Sequence, residues 1–139
     1  MKIRQFAVGD TEQVVSLWEE CGLTRPWNDP HADVKRKLDQ QPELFLVGEV
    51  DGRIVASGMG GYDGHRGHVN YLAVAPEHRG QGLGRELLAH LESLLVAMGC
   101  PKVNIQVRAG NAAAVAFYEH CGYEVFQVAD LGKRLIPDA

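Results

Sequence analysis

The chain has no surplus of positive charge, no apolar run long enough for a membrane and no paired cysteines, and each absence removes a class of function. Fourteen Lys and Arg stand against eighteen Asp and Glu in 139 residues, a formal net charge of −4. A dedicated nucleic-acid binder would carry a broad basic excess, so no nucleic-acid partner is expected. Apolar runs such as Leu94 to Met98 fall far short of the roughly 20 residues that span a bilayer, so no membrane partner is expected either. Gly9, Asp10 and Glu12 stand where a secretory signal would place its apolar stretch, which predicts a cytoplasmic protein. Cys21, Cys100 and Cys121 are odd in number with no C-x-x-C pair; they fit reduced thiols packed as small hydrophobes and offer neither a disulfide framework nor a zinc site. The histidines lack metal spacing as well, so no metal is expected. No G-x-S-x-G elbow surrounds Ser16, Ser57 or Ser93, and no repeat or linker divides the chain. Its 45% hydrophobic and 23% charged residues suit one globular domain over 1–139.

What is present reads as alternating helices and strands. Asp10 and Gln13 have capping-box spacing ahead of Val14, Val15, Leu17 and Trp18, a helical stripe that Cys21-Gly22 stops. Thr24 to Pro30 is a proline-broken loop, and a short helix follows over Ala32 to Gln40. Leu44 to Val47 and Arg53 to Ala56 flank Asp51-Gly52, the dipeptide of a tight hairpin. Gly58, Gly60, Gly61, Gly64 and Gly67 predict a flexible loop before a strand over His68 to Val74. Leu83, Leu87, Leu88, Leu91, Leu94, Leu95 and Met98 share one face of a helix that Gly99 and Pro101 end. Lys102 to Arg108 alternates as a strand, which makes this strand-helix-strand unit a parallel crossover. Asn111 caps a last helix over Ala112 to Cys121, and Tyr123 to Val128 and Leu131 to Ile136 are expected to close the chain as strands. The fold class is mixed α/β, a central mixed sheet flanked by helices.

The sharpest chemical feature is Arg79-Gly80-Gln81-Gly82-Leu83-Gly84-Arg85, a glycine-rich loop between a strand and the start of the long helix. Glycines let successive backbone N–H groups face one anion, and the helix start adds unpaired donors and a partial positive charge, so a phosphate is expected there. The loop fails the dinucleotide fingerprint, whose third glycine would fall at Arg85, and the chain has no G-x-x-x-x-G-K-[ST] sequence.

Arg79, Gly82 and Gly84 match the Gln/Arg-x-x-Gly-x-Gly/Ala loop of the GNAT superfamily of acetyl-CoA-dependent N-acetyltransferases, which the chain resembles over nearly its whole length. Val74-Ala75-Pro76 is similar to that family's Val-x-Pro strand ending, and Asn111, Ala114, Phe117, Tyr118, Gly122 and Tyr123 to its late Asn…Ala-x-x-Phe-Tyr…Gly-Tyr segment. Arg25 to Pro30, Gly60 to Gly67 and Leu131 to Leu135 resemble a small bacterial branch of it, the YpeA type.

The resemblance implies acetyl-CoA as acetyl donor, with an acetyl group moving to a primary amine by direct attack in a ternary complex. Leu72, Ala73 and Val74 would splay from their parallel neighbour and pair with the pantetheine arm, with a backbone N–H near Leu72 on the thioester carbonyl. Backbone donors of Gly80, Gln81, Gly82, Leu83, Gly84 and Arg85, with Arg79 beside them, would hold the pyrophosphate, and Asn111 is a further cofactor contact. Tyr118 would stand by the sulfur as the catalytic side chain, able to hydrogen-bond or protonate the leaving thiolate. Many relatives carry a glutamate where this chain has Gly64-His65-Arg66-Gly67-His68; Asp63, Glu49 and His65 are the alternatives for a base, and Trp27 could line the acceptor pocket. The partner is an amine acceptor, either a small molecule or a protein or peptide, and a homodimer stays open. The acidic total suggests a cationic acceptor. A binding module of the same fold, holding acyl-CoA without turnover, is the rival reading.

Overall fold

Strands β1 (Lys2–Gln5), β2 (Phe45–Val50), β3 (Arg53–Tyr62), β4 (Gly67–Val74) and β5 (Val103–Asn104) lie side by side in chain order in the computed structural model, which describes residues 1–138. The first three junctions are antiparallel and the last is parallel. A parallel neighbour cannot be reached by a tight turn, and helix α3 (Leu83–Ala97) supplies the crossover. Asp51 and Gly52 both adopt positive φ at the β2–β3 turn, as a two-residue hairpin requires.

Helices cover both faces, so successive strand residues are buried on opposite sides. Phe45 and Val47 of β2 and Val55 of β3 pack with Val14, Leu17 and Trp18 of α1 (Thr11–Glu20) and Val34 of α2 (Pro30–Leu38). Leu46 and Ala56, their neighbours in sequence, pack instead with Leu87, Leu88 and Leu91 of α3, where Phe117 and Tyr118 of α4 (Ala112–His120) also gather. Those three α3 leucines are at most 1% exposed, and each full burial contributes roughly 1.5–3 kcal/mol. No described helix is long and apolar enough to cross a membrane.

The structure departs from the sequence reading in five places. Asp10 does not cap α1: its carboxylate binds the Arg4 guanidinium and the Ala7 N–H, contacts that hold its pKa below the usual carboxylate range, and Gln13 accepts from the Ile54 N–H. Residues 2–5, unassigned from sequence, form β1 because β2 offers them an antiparallel edge. Helix α2 starts at Pro30, with Asp29 capping its first turn through the His31 N–H. The expected glycine loop is strand, since β3 runs on to Tyr62; a Cβ on Gly58 would lie 3.0 Å from Leu91 Cδ1 and one on Gly60 3.2 Å from Leu91 Cδ2. Those glycines let α3 lie close on the sheet and do not mark a turn.

The fifth departure is the C-terminal third. Of the strand expected over 102–108 only Val103 and Asn104 pair, with Gly67 and His68, and 123–128 and 131–136 form no ladder. Alternation marks a strand only where a neighbouring backbone is in reach, and β5 leaves β4 after two residues. Val128, Leu131 and Leu135 consequently stay exposed. Side chains tie the segment down instead: Tyr123 donates to Glu92, Gln106 to Asp130, and Asp138 accepts from Arg36 and the Asp29 N–H and pairs with Arg134.

Candidate functional site

At the centre of the sheet β4 carries a bulge. Ser57 pairs with Ala73 and Met59 with Asn70, so Tyr71 and Leu72 together oppose Gly58 alone. Tyr71 adopts φ +52°, a left-handed conformation that a bulky residue rarely takes, and the surroundings hold it there. The buried Ser57 Oγ accepts from Trp18 Nε1 at 2.9 Å and donates to the Tyr71 carbonyl at 2.9 Å, while the Trp18 and Tyr71 rings stack 3.7 Å apart. Carbonyl and N–H of one trans peptide point opposite ways. With the Tyr71 carbonyl turned to Ser57, the Leu72 N–H of the same peptide is turned away from it.

Ser57→Ala should lower stability by about 1–3 kcal/mol, because the Trp18 indole N–H would be left buried without an acceptor. Thermal unfolding reads this directly, and an unchanged Tm would mean that another group holds the bulge.

The extra residue also reverses the alternation of β4. Val69 faces the α3 side, whereas Ala73, four residues on, faces the α1 side. Asn70 and Tyr71 in consequence line one cleft together. On the outer side β4 and β5 pair only at their first residues, so the strands part before the bulge is reached.

Beyond β4 comes the glycine loop. Gly80 and Gly82 have φ +77° and +78°, which L side chains seldom adopt, and open space lies where a Cβ would project. Gly82 caps α3 with no side chain, and the first helical bond runs from the Glu86 N–H to its carbonyl. The N–H groups of Leu83, Gly84 and Arg85 therefore have no acceptor within the helix. Gly84 has a second role, since a Cβ there would come 3.3 Å from Phe117 Cζ, and its smallness seats α4 on α3. The Arg79 side chain turns back to donate to the Val74 carbonyl at 3.2 Å, which Cys21 Sγ also approaches at 3.3 Å. These unpaired donors beside Arg85 fit an anionic phosphate group.

Asn111 accepts from the Ala114 N–H at 3.1 Å and so starts α4. That helix sets Tyr118 edge-on between Phe117 and Tyr123, with centroids 5.1 and 5.8 Å away. Burial pushes the Tyr118 pKa up, the nearby Cys121 thiol adding less. Its surroundings share apolar contacts with Leu72 and Val74, the residues bordering the parted strands.

On the other side of the bulge lies a cleft of about 640 Å³. Asn70 and Tyr71 line it from β4 and Trp27 and Asn28 from the α1–α2 loop, and Asp33 of α2 is its one carboxylate. Asp33 accepts from the Tyr71 hydroxyl at 2.6 Å, from Asn28 and from Arg36 at 2.8 Å. Burial, and then this carboxylate, push the Tyr71 pKa well above the usual phenol value. Of the four acceptor-side candidates read from sequence, Trp27 lines the cleft. Asp63 and His65 lie in the β3–β4 turn, four residues or more from Tyr71 along β4, about 13 Å at strand rise. There Asp63 accepts from the N–H groups of His65 and Arg66, bonds that hold its carboxyl below the usual range. Glu49 binds Arg4 near the far edge of the sheet. Asp33, Tyr71, Asn28 and Ser57 were not singled out from sequence; Asp33 and Tyr71, 38 residues apart, meet only through the fold. No group of three or more His, Cys, Asp or Glu among the described residues is placed to hold a metal ion.

The sequence profile of the "Acetyltransferase (GNAT) family" matches residues 11–123. An acetyltransferase of Yersinia pseudotuberculosis is 55% identical over 138 residues, which cover 99% of this chain and 98% of that protein. Among solved structures, a putative acetyltransferase from Agrobacterium tumefaciens superposes with a TM-score of 0.79 at 20% identity, covering 96% of this chain and 100% of that one. Chaetomium thermophilum Naa20, crystallised with a bisubstrate analogue, has a TM-score of 0.72 and 28% identity over 90% of this chain and 72% of its own.

Proposed function

The chain belongs to the GNAT acetyltransferase family, and on that premise we propose that it transfers the acetyl group of acetyl-CoA to a primary amine by direct attack in a ternary complex. The observation that carries this reading is the β4 bulge, which turns the Leu72 N–H away from Ser57 beside a gap between parallel strands. When bound, acetyl-CoA supplies a thioester whose carbonyl carbon accepts the amine and whose thiolate departs.

The protein's part is positioning and charge stabilisation. The stretch Leu72, Ala73 and Val74 along the parted edge would receive the amide-bearing arm of coenzyme A as an added strand, with the Val74 carbonyl there already bonded to Arg79. The pyrophosphate would be held by the loop from Gly80 to Arg85. The Leu72 N–H is the donor for negative charge developing on the carbonyl oxygen, a role that gains strength away from bulk water. Ser57 and Trp18 fix that donor before the substrate arrives, so no reorganisation is needed as charge builds. Tyr118, held protonated by burial, is the proton-bearing group for the departing sulfur.

The acceptor enters from the cleft that holds Trp27, Asn70 and Tyr71. Asp33 has three protein donors on its two oxygens, so it positions Tyr71 and does not act as the base. The bisubstrate analogue bound to Naa20 is consistent with an amine and a cofactor occupying such a site together.

Calorimetry with acetyl-CoA, followed by thiol release across a panel of amines, tests the proposal. Binding with stoichiometric thiol release is the expected result. Binding without release from any amine would favour the non-catalytic acyl-CoA module, and absence of binding would remove both readings.

A further inference from the structure

The cleft beside the bulge has a charge opposite to that of the chain. Arg25, Arg36, Lys37 and Arg108 line it against the single carboxylate of Asp33, in a protein whose formal net charge is −4. These cations come from three separate stretches, the α1–α2 loop, α2 and the segment after β5, so their convergence is a product of the fold and not of a basic run.

Arg36 is neutralised: it binds Asp33 at 2.8 Å and Asp138 at 3.1 Å. The others have no carboxylate within ion-pair distance among the described residues. Arg25 Nη1 donates to the Gly22 and Thr24 carbonyls at 2.8 and 2.7 Å, which fix its guanidinium in place and leave its remaining N–H groups available. Lys37 reaches across to β3 and donates to the Gly60 carbonyl at 2.6 Å. Its ammonium carries three hydrogens, and this bond uses one. Burial disfavours its charge and lowers its pKa, which a bound anion would reverse. Two unpaired cations held by backbone carbonyls, with the exposed Arg108 on the same opening, form a receptor for an oxyanion. Trp27 and Tyr71 supply the apolar surface beside it.

We propose that the acceptor amine carries a carboxylate or phosphate group, which Lys37, Arg25 and Arg108 bind in the cleft while the amine faces Asn70 and Tyr71. The inference deepens the acetyl-transfer reading and rests on it. It replaces the cationic acceptor suggested by the acidic total, because the charge around the opening governs approach over a screening length of about 10 Å at 0.1 M salt and the distant carboxylates do not.

The test is a set of matched acceptors with saturating acetyl-CoA: amino acids against their carboxamides, and aminoalkyl phosphates against the corresponding amino alcohols. The anionic member of a pair should have a kcat/KM at least tenfold higher, and raising salt from 0.05 to 0.5 M should erase most of that advantage. Which pair shows the larger ratio distinguishes carboxylate from phosphate. Lys37→Gln and, as an exposed second site, Arg108→Gln should each reduce the preference several-fold while leaving the affinity for acetyl-CoA unchanged. Calorimetry of the same compounds on the protein saturated with coenzyme A gives a readout besides turnover, with the anionic members binding more tightly. Equal or better use of the neutral members, or no binding of any anionic member, overturns the inference while the acetyl-transfer reading stands. Failure to bind acetyl-CoA removes that reading, and the inference falls with it.

Discussion

Tyr118→Phe is expected to lower kcat about a hundredfold with little change in stability. The phenyl ring keeps its edge contacts with Phe117 and Tyr123, and only the proton-bearing oxygen is lost. The size of the effect is that of a hydrogen bond to a group gaining charge, about 1.5–3 kcal/mol, which at roughly 1.4 kcal/mol per tenfold in rate reaches about a hundredfold. A thiol has a pKa near 8.5 and a phenol near 10, and burial raises Tyr118 further. Full proton transfer to the sulfur is thus uphill, and the favoured role is a hydrogen bond that strengthens as charge leaves the thioester. The raised pKa keeps the hydroxyl protonated beyond the ordinary phenol range, so the parent enzyme should show no alkaline loss of kcat from this group below about pH 10. Steady-state kinetics with saturating amine, alongside a melting curve, make the measurement. Unchanged kcat in a normally folded variant would mean the thiolate leaves without Tyr118.

Gly82→Val is expected to weaken acetyl-CoA binding by a similar factor, about a hundredfold. At φ +78° a β-branched residue is strained by roughly 1–2 kcal/mol, and relaxing that strain rotates the adjoining peptides. The N–H groups ahead of α3 would then no longer converge on one anion. Loss of one or two hydrogen bonds to a charged group, at about 1.5–3 kcal/mol each, corresponds to a tenfold change in affinity per 1.4 kcal/mol. Because open space surrounds the position, the fold itself should tolerate the change. Calorimetry against the parent decides the matter: equal affinity in the variant would show that the loop's left-handed geometry is not what holds the pyrophosphate.

Elements whose cause is local were legible in the sequence. Asp51-Gly52 determines a hairpin because both residues tolerate positive φ. The leucine spacing of α3 buries one helical face, and Asn111 starts α4 with its own side chain. The glycine turn ahead of α3 was legible for the same reason, since positive-φ glycines next to a helix start leave a cluster of unpaired donors on consecutive residues.

Where the cause lay elsewhere in the chain, local pattern misled. Gly58 and Gly60 look like turn residues until α3 is seen resting on them. Val125, Val128 and Leu131 sit in segments patterned as strands, yet no neighbouring backbone pairs with them. Asp63 and His65 share the residue types of acid–base chemistry, and the fold sets them in the β3–β4 turn, outside the cleft lining, where Asp63 serves the turn's own N–H groups.

The family resemblance, the flanking helices and the glycine-rich turn ahead of α3 were settled by residues a few positions apart in the chain. The bulge, the reversed alternation that brings Asn70 and Tyr71 into one cleft, and the sign of that cleft's charge arise from the folded arrangement. Each depends on partners brought from distant stretches, Ser57 and Trp18 for the bulge and residues from Arg25 to Arg108 for the cleft. A net charge adds all side chains equally, whereas a binding site feels those that folding places around it.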